Sequence, residues 1–275
     1  MITIVTDSCA YFKEEEAKEL NVKIVPANYT VNTNAYTESF SDCNGDFESL
    51  LSCGGNFTTS QPNIAAFMNV FEGELKQGNE VLCVTISSRL SGAFSTAQIA
   101  ARQSGAIGKL IAADSFFAAG GQYLLVKEAA KLAAGGKNLA EIANALEEIR
   151  SRIKMVFTVD DITPLRKSGR IGNVRMSVGT ILDKKPIFVF EEGACAFYQE
   201  AQGNADIIKK MVGMADFYPK EFVINNIGYN RLTANFYNVL SEKFPEARVT
   251  IRKAGPVMGV NAGLNAAALA VIGKP

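Results

Sequence analysis

Val81-Leu82-Cys83-Val84-Thr85-Ile86-Ser87-Ser88-Arg89-Leu90-Ser91-Gly92-Ala93 is the stretch that decides the fold class. Val81 to Ile86 is a short apolar run, rich in β-branched residues and bounded by a polar turn, which is the signature of a buried strand. A helix is predicted from Ser91 to Gln103, directly after that turn. Strand, short turn and helix in succession form the repeating unit of a parallel sheet covered by helices.

Moving outward, the same unit recurs. Strands are predicted at Ile2 to Thr6, Val22 to Pro26 and Leu110 to Ala113. Helices are predicted at Pro62 to Leu75, with proline in the first turn, and at the alanine-rich Gly120 to Ala134. Gly135-Gly136-Lys137-Asn138 breaks the pattern, and a further helix from Leu139 to Arg152 leads into a second series. That series holds strands at Met155 to Val159, Ile187 to Phe190, Ala194 to Tyr198, Phe222 to Ile227 and Arg248 to Ile251. Its helices are predicted at Asp206 to Phe217, Arg231 to Phe244 and Ala262 to Ile272. Glu192-Gly193 between two adjacent runs reads as a hairpin turn, so the second sheet is expected to be mixed. The expectation is a two-domain α/β protein: an N-terminal α/β/α domain with a parallel sheet over residues 1–151, and a C-terminal α/β domain over residues 152–275. A chain of 275 residues suits two such lobes, because one core stops growing near that length.

Composition excludes more than it suggests. Apolar residues make up 48% of the chain, with 17 Phe and 8 Tyr, which is enough to build cores without covalent staples. The 28 basic residues balance the 28 acidic ones, so no long-range field favours nucleic acid or an anionic membrane. Five scattered cysteines lack a Cys-x-x-Cys pair and read as reduced thiols. No run has secretory or membrane-spanning character, so a cytoplasmic location is expected and the sequons at Asn28 and Asn56 are chance matches. The chain has no histidine, which removes the imidazole base, the Ser-His couple and histidine-ligated metals. Phosphate-binding glycine loops and the nucleophile elbow are also missing, so binding is favoured over bond-breaking.

In open parallel sheets, ligands gather beyond the carboxyl ends of the strands, where loops offer free amides and hydroxyls. Thr6-Asp7-Ser8 ends the first strand and reads first as a cap, second as a cleft lining. Thr58-Thr59-Ser60-Gln61-Pro62 gathers three hydroxyls and an amide before a helix, where an ordinary cap needs only one. Ser87 to Ala93 presents three serines and Gly92, and reads equally as a capping turn or an anion site. Asp160 to Ile171 combines acids with Arg166, Lys167 and Arg170 on a short loop; it reads as solvated surface or as a contact to phosphate or an acidic partner. Gly255 to Leu264 places a flexible turn before the last helix, with Asn261 as its simple N-cap and the apolar Ala266 to Ile272 buried behind it.

In order along the chain, Thr6-Asp7-Ser8, Thr59 to Pro62, Ser87 to Gly92, Asp114-Ser115 with Gly120-Gly121-Gln122, Ser168 to Ile171, Lys185-Pro186-Ile187 and the Gly255 to Leu264 turn resemble the DegV family. The resemblance spans essentially the whole chain. It implies a long-chain fatty acid as ligand, its tail in the C-terminal lobe and its head between the lobes, and no cofactor. It implies Thr59, Ser91 and Asn261 around the carboxylate, with Ser60 and Gly92 adjacent. Family members include binding subunits of bacterial fatty acid kinase, which implies a carrier or substrate-presenting role, an ATP-dependent kinase subunit as partner facing Arg170, and transient contact with membrane. The chain departs from that pattern in having Asn261 where phosphotransfer members carry histidine, and Leu264 where they carry proline. Ser168, Ala119 and Ala201-Gln202 also differ from the usual glycine, serine and arginine. Asn261 donates a neutral hydrogen bond but no imidazolium charge. A regulatory or scaffolding member that binds another amphiphile, or none, is the alternative.

Overall fold

The computed structural model describes residues 1–171, 184–215, 218–228 and 231–275. The described residues of the N-terminal half form β1 (Ile2–Asp7), α1 (Glu14–Glu19), β2 (Val22–Val25), β3 (Asn28–Val31), β4 (Asn34–Thr37), α2 (Phe47–Ser52), β5 (Phe57–Ser60), α3 (Ile64–Lys76), β6 (Glu80–Thr85), α4 (Ala93–Gln103), β7 (Leu110–Asp114), α5 (Ala119–Ala134) and α6 (Leu139–Ser151). The remainder form β8 (Ile153–Thr158), α7 (Thr163–Ser168), β9 (Lys184–Glu191), β10 (Ala194–Gln202), α8 (Gly203–Val212), β11 (Pro219–Asn226), α9 (Arg231–Lys243), β12 (Arg248–Lys253), α10 (Pro256–Ala262) and β13 (Ala267–Gly273). No described helix is long and apolar enough to cross a membrane.

Three sheets result. One is parallel throughout, in the order β2-β1-β6-β7. The second is mixed, in the order β10-β9-β8-β13-β11-β12, with β11 and β12 its one parallel pair. The α/β class with a parallel sheet and a separate mixed sheet is thus as expected. The third is a three-stranded antiparallel sheet, β4-β3-β5, which the sequence pattern does not predict.

Helix α5 joins the two large sheets. Most of its side chains are buried, and its core continues from Ile4 and Leu82 on one sheet to Met155, Val223 and Ala270 on the other. Its first turn lies so close to the mixed sheet that a Cβ on Gly120 would stand 2.6 Å from Asn225 Oδ1 and 2.9 Å from Ala270 Cβ. Glycine is therefore required there. Two buried ion pairs tie the halves together: Lys127 Nζ lies 2.6 Å from Glu221 Oε1, and Arg252 donates to Glu16 Oε1 at 2.6 Å while stacking 3.6 Å from the Tyr123 ring centre.

The expected helix over Ala262 to Ile272 is corrected. The helix is α10, which ends at Ala262, and the following apolar run is β13, a central strand. Ala268, Ala270 and Ile272 serve the core beneath α5, whereas Ala267, Leu269 and Val271 serve the core beneath α8 and α9. A strand buried on both faces carries no alternation, and alanine gives it a helical look. The expected helix at Asp206 to Phe217 appears as α8, and the end of that range lies outside the described residues. Within the charged loop, Thr163 to Ser168 is helical, with Pro164 in the first turn.

Candidate functional site

The turns that end the parallel strands are fixed from beneath. Asp7 accepts from the Cys9 and Ile86 amides at 3.1 and 2.6 Å, and burial raises its pKa above the ordinary aspartate value. Ser8 donates to Glu38 Oε1 at 2.8 Å. Ser87, fully buried, donates to the Gly193 carbonyl at 2.7 Å and so pins the β9-β10 hairpin onto this loop. Ser88 N donates to Asp114 Oδ2 at 3.1 Å. These groups are structural, and Asp7 is the cap that its position suggested.

Above them lies an apolar cavity, in which the space open to water-sized spheres is about 120 Å³. This is about ten times the minimum that one water needs. Met155 and Phe157 of β8, Phe190 of β9, Cys195 of β10 and Ala268 of β13 line it from the mixed sheet. Ile86, Leu90 and Ala118 line it from the parallel sheet's loops, Ala119 from the start of α5, and Val257 and Met258 from α10. Burial pushes the Cys195 thiol up to about 12, and burial with the nearby Glu38 pushes the Cys9 thiol well above its ordinary value, so neither is a ready nucleophile.

Five of the residues singled out in the sequence, Thr59, Ser60, Ser91, Arg170 and Asn261, line this one cavity. They come from β5, the turn before α4, the segment after α7, and α10. Thr59 is placed by the three-stranded sheet, opposite Tyr29 in the β3-β5 register. Asn261 is corrected from N-cap to last-turn residue: α10 starts at Pro256 behind Gly255, and Asn261 Nδ2 donates to the Val257 carbonyl at 2.8 Å and to Thr59 Oγ1 at 3.3 Å. Ser91 Oγ accepts from the Ala93 amide at 3.3 Å, so it caps and lines at once. Gly92 stands one layer back, where a Cβ would meet Gln61 Nε2 at 2.6 Å; its lack of a side chain lets Gln61 reach the cavity. Arg170 is half-buried, donating from Nε to the Leu90 carbonyl at 3.2 Å and from Nη1 to the Ser168 carbonyl.

Arg170 is the one formally charged side chain among the described lining residues, and no carboxylate joins it. An apolar cavity with neutral donors and one cation suits an amphipathic acid. The apolar lining was not singled out in the sequence. Met155 and Phe157 alternate with core residues of the same type, so only their shared parity on β8 hints at a common face. Among the described residues no group of three or more acids and cysteines is placed to hold a metal.

These features define an α/β protein of two large sheets with a mostly apolar cavity between them. The chain belongs to the DegV family: the family model described as an uncharacterised protein, DegV family COG1307, matches residues 1–274. A DegV domain-containing protein of Halalkalibacterium halodurans is 31% identical over 269 residues, covering 95% of each chain. Among solved structures, a DegV family protein from Thermus thermophilus described by its fatty acid binding is 25% identical, with a TM-score of 0.86 over 99% of each chain. A DegV family protein from Eubacterium eligens loaded with heptadecanoic acid superposes with a TM-score of 0.88 over 100% of each chain, at 18% identity.

Proposed function

We propose that this protein binds a long-chain fatty acid and carries or presents it without altering it alone. The observation that carries the reading is the convergence of Thr59, Ser60, Ser91 and Asn261, from separate elements, on one apolar cavity. In this reading their hydroxyls and amide, with the Gly92 turn, hold the carboxylate, and the tail runs along Met155, Phe157 and Ala268 in the domain that begins after residue 151. Each buried methylene contributes about 0.8 kcal/mol, so the tail supplies most of the affinity. The donors set the direction of insertion. Fatty acid ligands in structures of the same fold support this assignment. A cytoplasmic site of action agrees with five unpaired thiols.

Native mass spectrometry of delipidated protein with heptadecanoic acid tests the reading, since the odd chain has a mass distinct from even-numbered acids. A one-to-one complex is expected. Failure to take up the acid would overturn the proposal.

A second reading follows from Asn261. Its amide is engaged with Val257 and Thr59 and brings no positive charge to a developing acyl phosphate. On this reading the chain is a regulatory or scaffolding binder, not a subunit of a fatty acid kinase, and Arg170 acts within the cavity more than at a partner's surface. Mixing the loaded protein with a kinase subunit and ATP separates the two: acyl phosphate above background restores the substrate-presenting role.

A further inference from the structure

Glu38, the residue after β4, is a carboxylate with no exposed surface. Ser8 Oγ donates to its Oε1 at 2.8 Å, and the backbone amide of Val257 donates to its Oε2 at 2.8 Å, across 219 residues of sequence. Cys9 Sγ lies 3.9 Å from Oε1. The path to Val257 is open because the intervening residue is Gly255, where a Cβ would stand 2.5 Å from Oε2.

Val257 holds the first free amide of α10, since Pro256 has none, and Gly255 offers no side-chain cap. Glu38 therefore supplies from the end of β4 the cap that the helix lacks in its own sequence. The same short helix carries Val257, Met258 and Asn261 into the cavity. A buried acid is costly unless its oxygens are satisfied, and a leucine at this point would pack without that cost. The carboxylate persists where it has a task.

We infer that Glu38 is a positioning residue, whose bond to the Val257 amide fixes the seat of α10 and thereby places Asn261 against Thr59 at the head of the cavity. This inference rests on the fatty-acid reading for its consequence, but its mechanism concerns the apo protein. The titratable groups that face Glu38 are Asp7 and Cys9 at the end of β1, Tyr11 behind them, and Tyr29 of β3.

Two measurements on the full chain test it: amide hydrogen exchange of residues 256–262 without ligand, and affinity for heptadecanoic acid. Glu38→Ala is expected to raise exchange in α10 about tenfold, as loss of one buried hydrogen bond does, with β1 and β8 unchanged. Its affinity falls about tenfold, and Glu38→Gln, whose amide oxygen still accepts from Val257, restores both. The loss from Glu38→Ala disappears in an Asn261→Ala background, because both changes act on one contact. Unchanged α10 exchange in Glu38→Ala, α10 protection lost equally in Glu38→Gln, or additive affinity losses would each overturn the inference. Should Glu38→Ala not fold, Glu38→Asp, one methylene too short to reach, takes its place with the same outcomes. If the wild-type chain takes up no heptadecanoic acid, the fatty-acid reading fails while the exchange measurement still decides whether Glu38 seats α10.

Discussion

Glu38 also carries a measurable acid-base signature. Burial raises its pKa from 4.5 to about 7, against the lowering effect of the bonds from Val257 and Ser8. Between those two values the folded protein holds a proton that the unfolded chain has released, so stability is highest below pH 4.5 and is lost as the pH rises toward 7. From pH 5 to pH 8 the loss attributable to this one group is on the order of 2–3 kcal/mol. Asp7, raised by burial in the same cluster, contributes with the same sign. Urea denaturation at the two pH values is expected to show the decline in the wild type and to lose most of it in Glu38→Gln. A wild-type profile that instead rises over this range would mean that the carboxylate is better solvated than its surroundings imply.

At the scale of elements, β13 separates two kinds of alanine. Ala268 faces the cavity, between Phe157 on β8 and Asn225 on β11, whereas Ala270, two residues on along the same face, packs under the first turn of α5 and outside the cavity lining. Ala268→Phe should therefore occupy ligand space, abolishing heptadecanoic acid uptake with little change in melting temperature. Ala270→Phe has no void to enter and should destabilise by about 1–3 kcal/mol, the usual effect of overpacking. Native mass spectrometry and thermal unfolding of the two variants check this, and a reversed pattern would place the cavity over Ala270 instead of Ala268. The same strand shows what the sequence discloses. The β6 turn was legible because a strand-length run is followed at once by serines and a glycine, all within one local stretch. Strand β13 was not, since burial on both faces erases periodicity. The three-stranded sheet was hidden for another reason: Thr58-Thr59-Ser60 looks like a capping loop until it pairs with Asn28 to Thr30, about thirty residues earlier. The polar half of the site was legible from hydroxyl-rich turns, but its apolar half was not, because Met155 lining a cavity and Met155 filling a core read alike.

Across the whole molecule, the cavity exists only while the two large sheets keep their distance, so the contacts that join them bear on binding. Lys127 on α5 and Glu221 on β11 are both almost fully enclosed, and burial lowers the Lys127 pKa despite its partner. Removing one member leaves the other charged without compensation, which costs about 3–5 kcal/mol, whereas replacing both with apolar residues of similar volume is often neutral or stabilising. Lys127→Met alone is expected to lower the melting temperature sharply, and Lys127→Met with Glu221→Leu to recover most of the loss. Heptadecanoic acid, by binding the folded form only, should raise the melting point of each variant that retains the cavity. If the double variant is as stable as the wild type and gains as much from ligand, the ion pair has no part in holding the cavity open. If it is as stable but gains markedly less, Lys127 and Glu221 set the spacing of the sheets, and the affinity at the head of the cavity depends on a contact made halfway along α5.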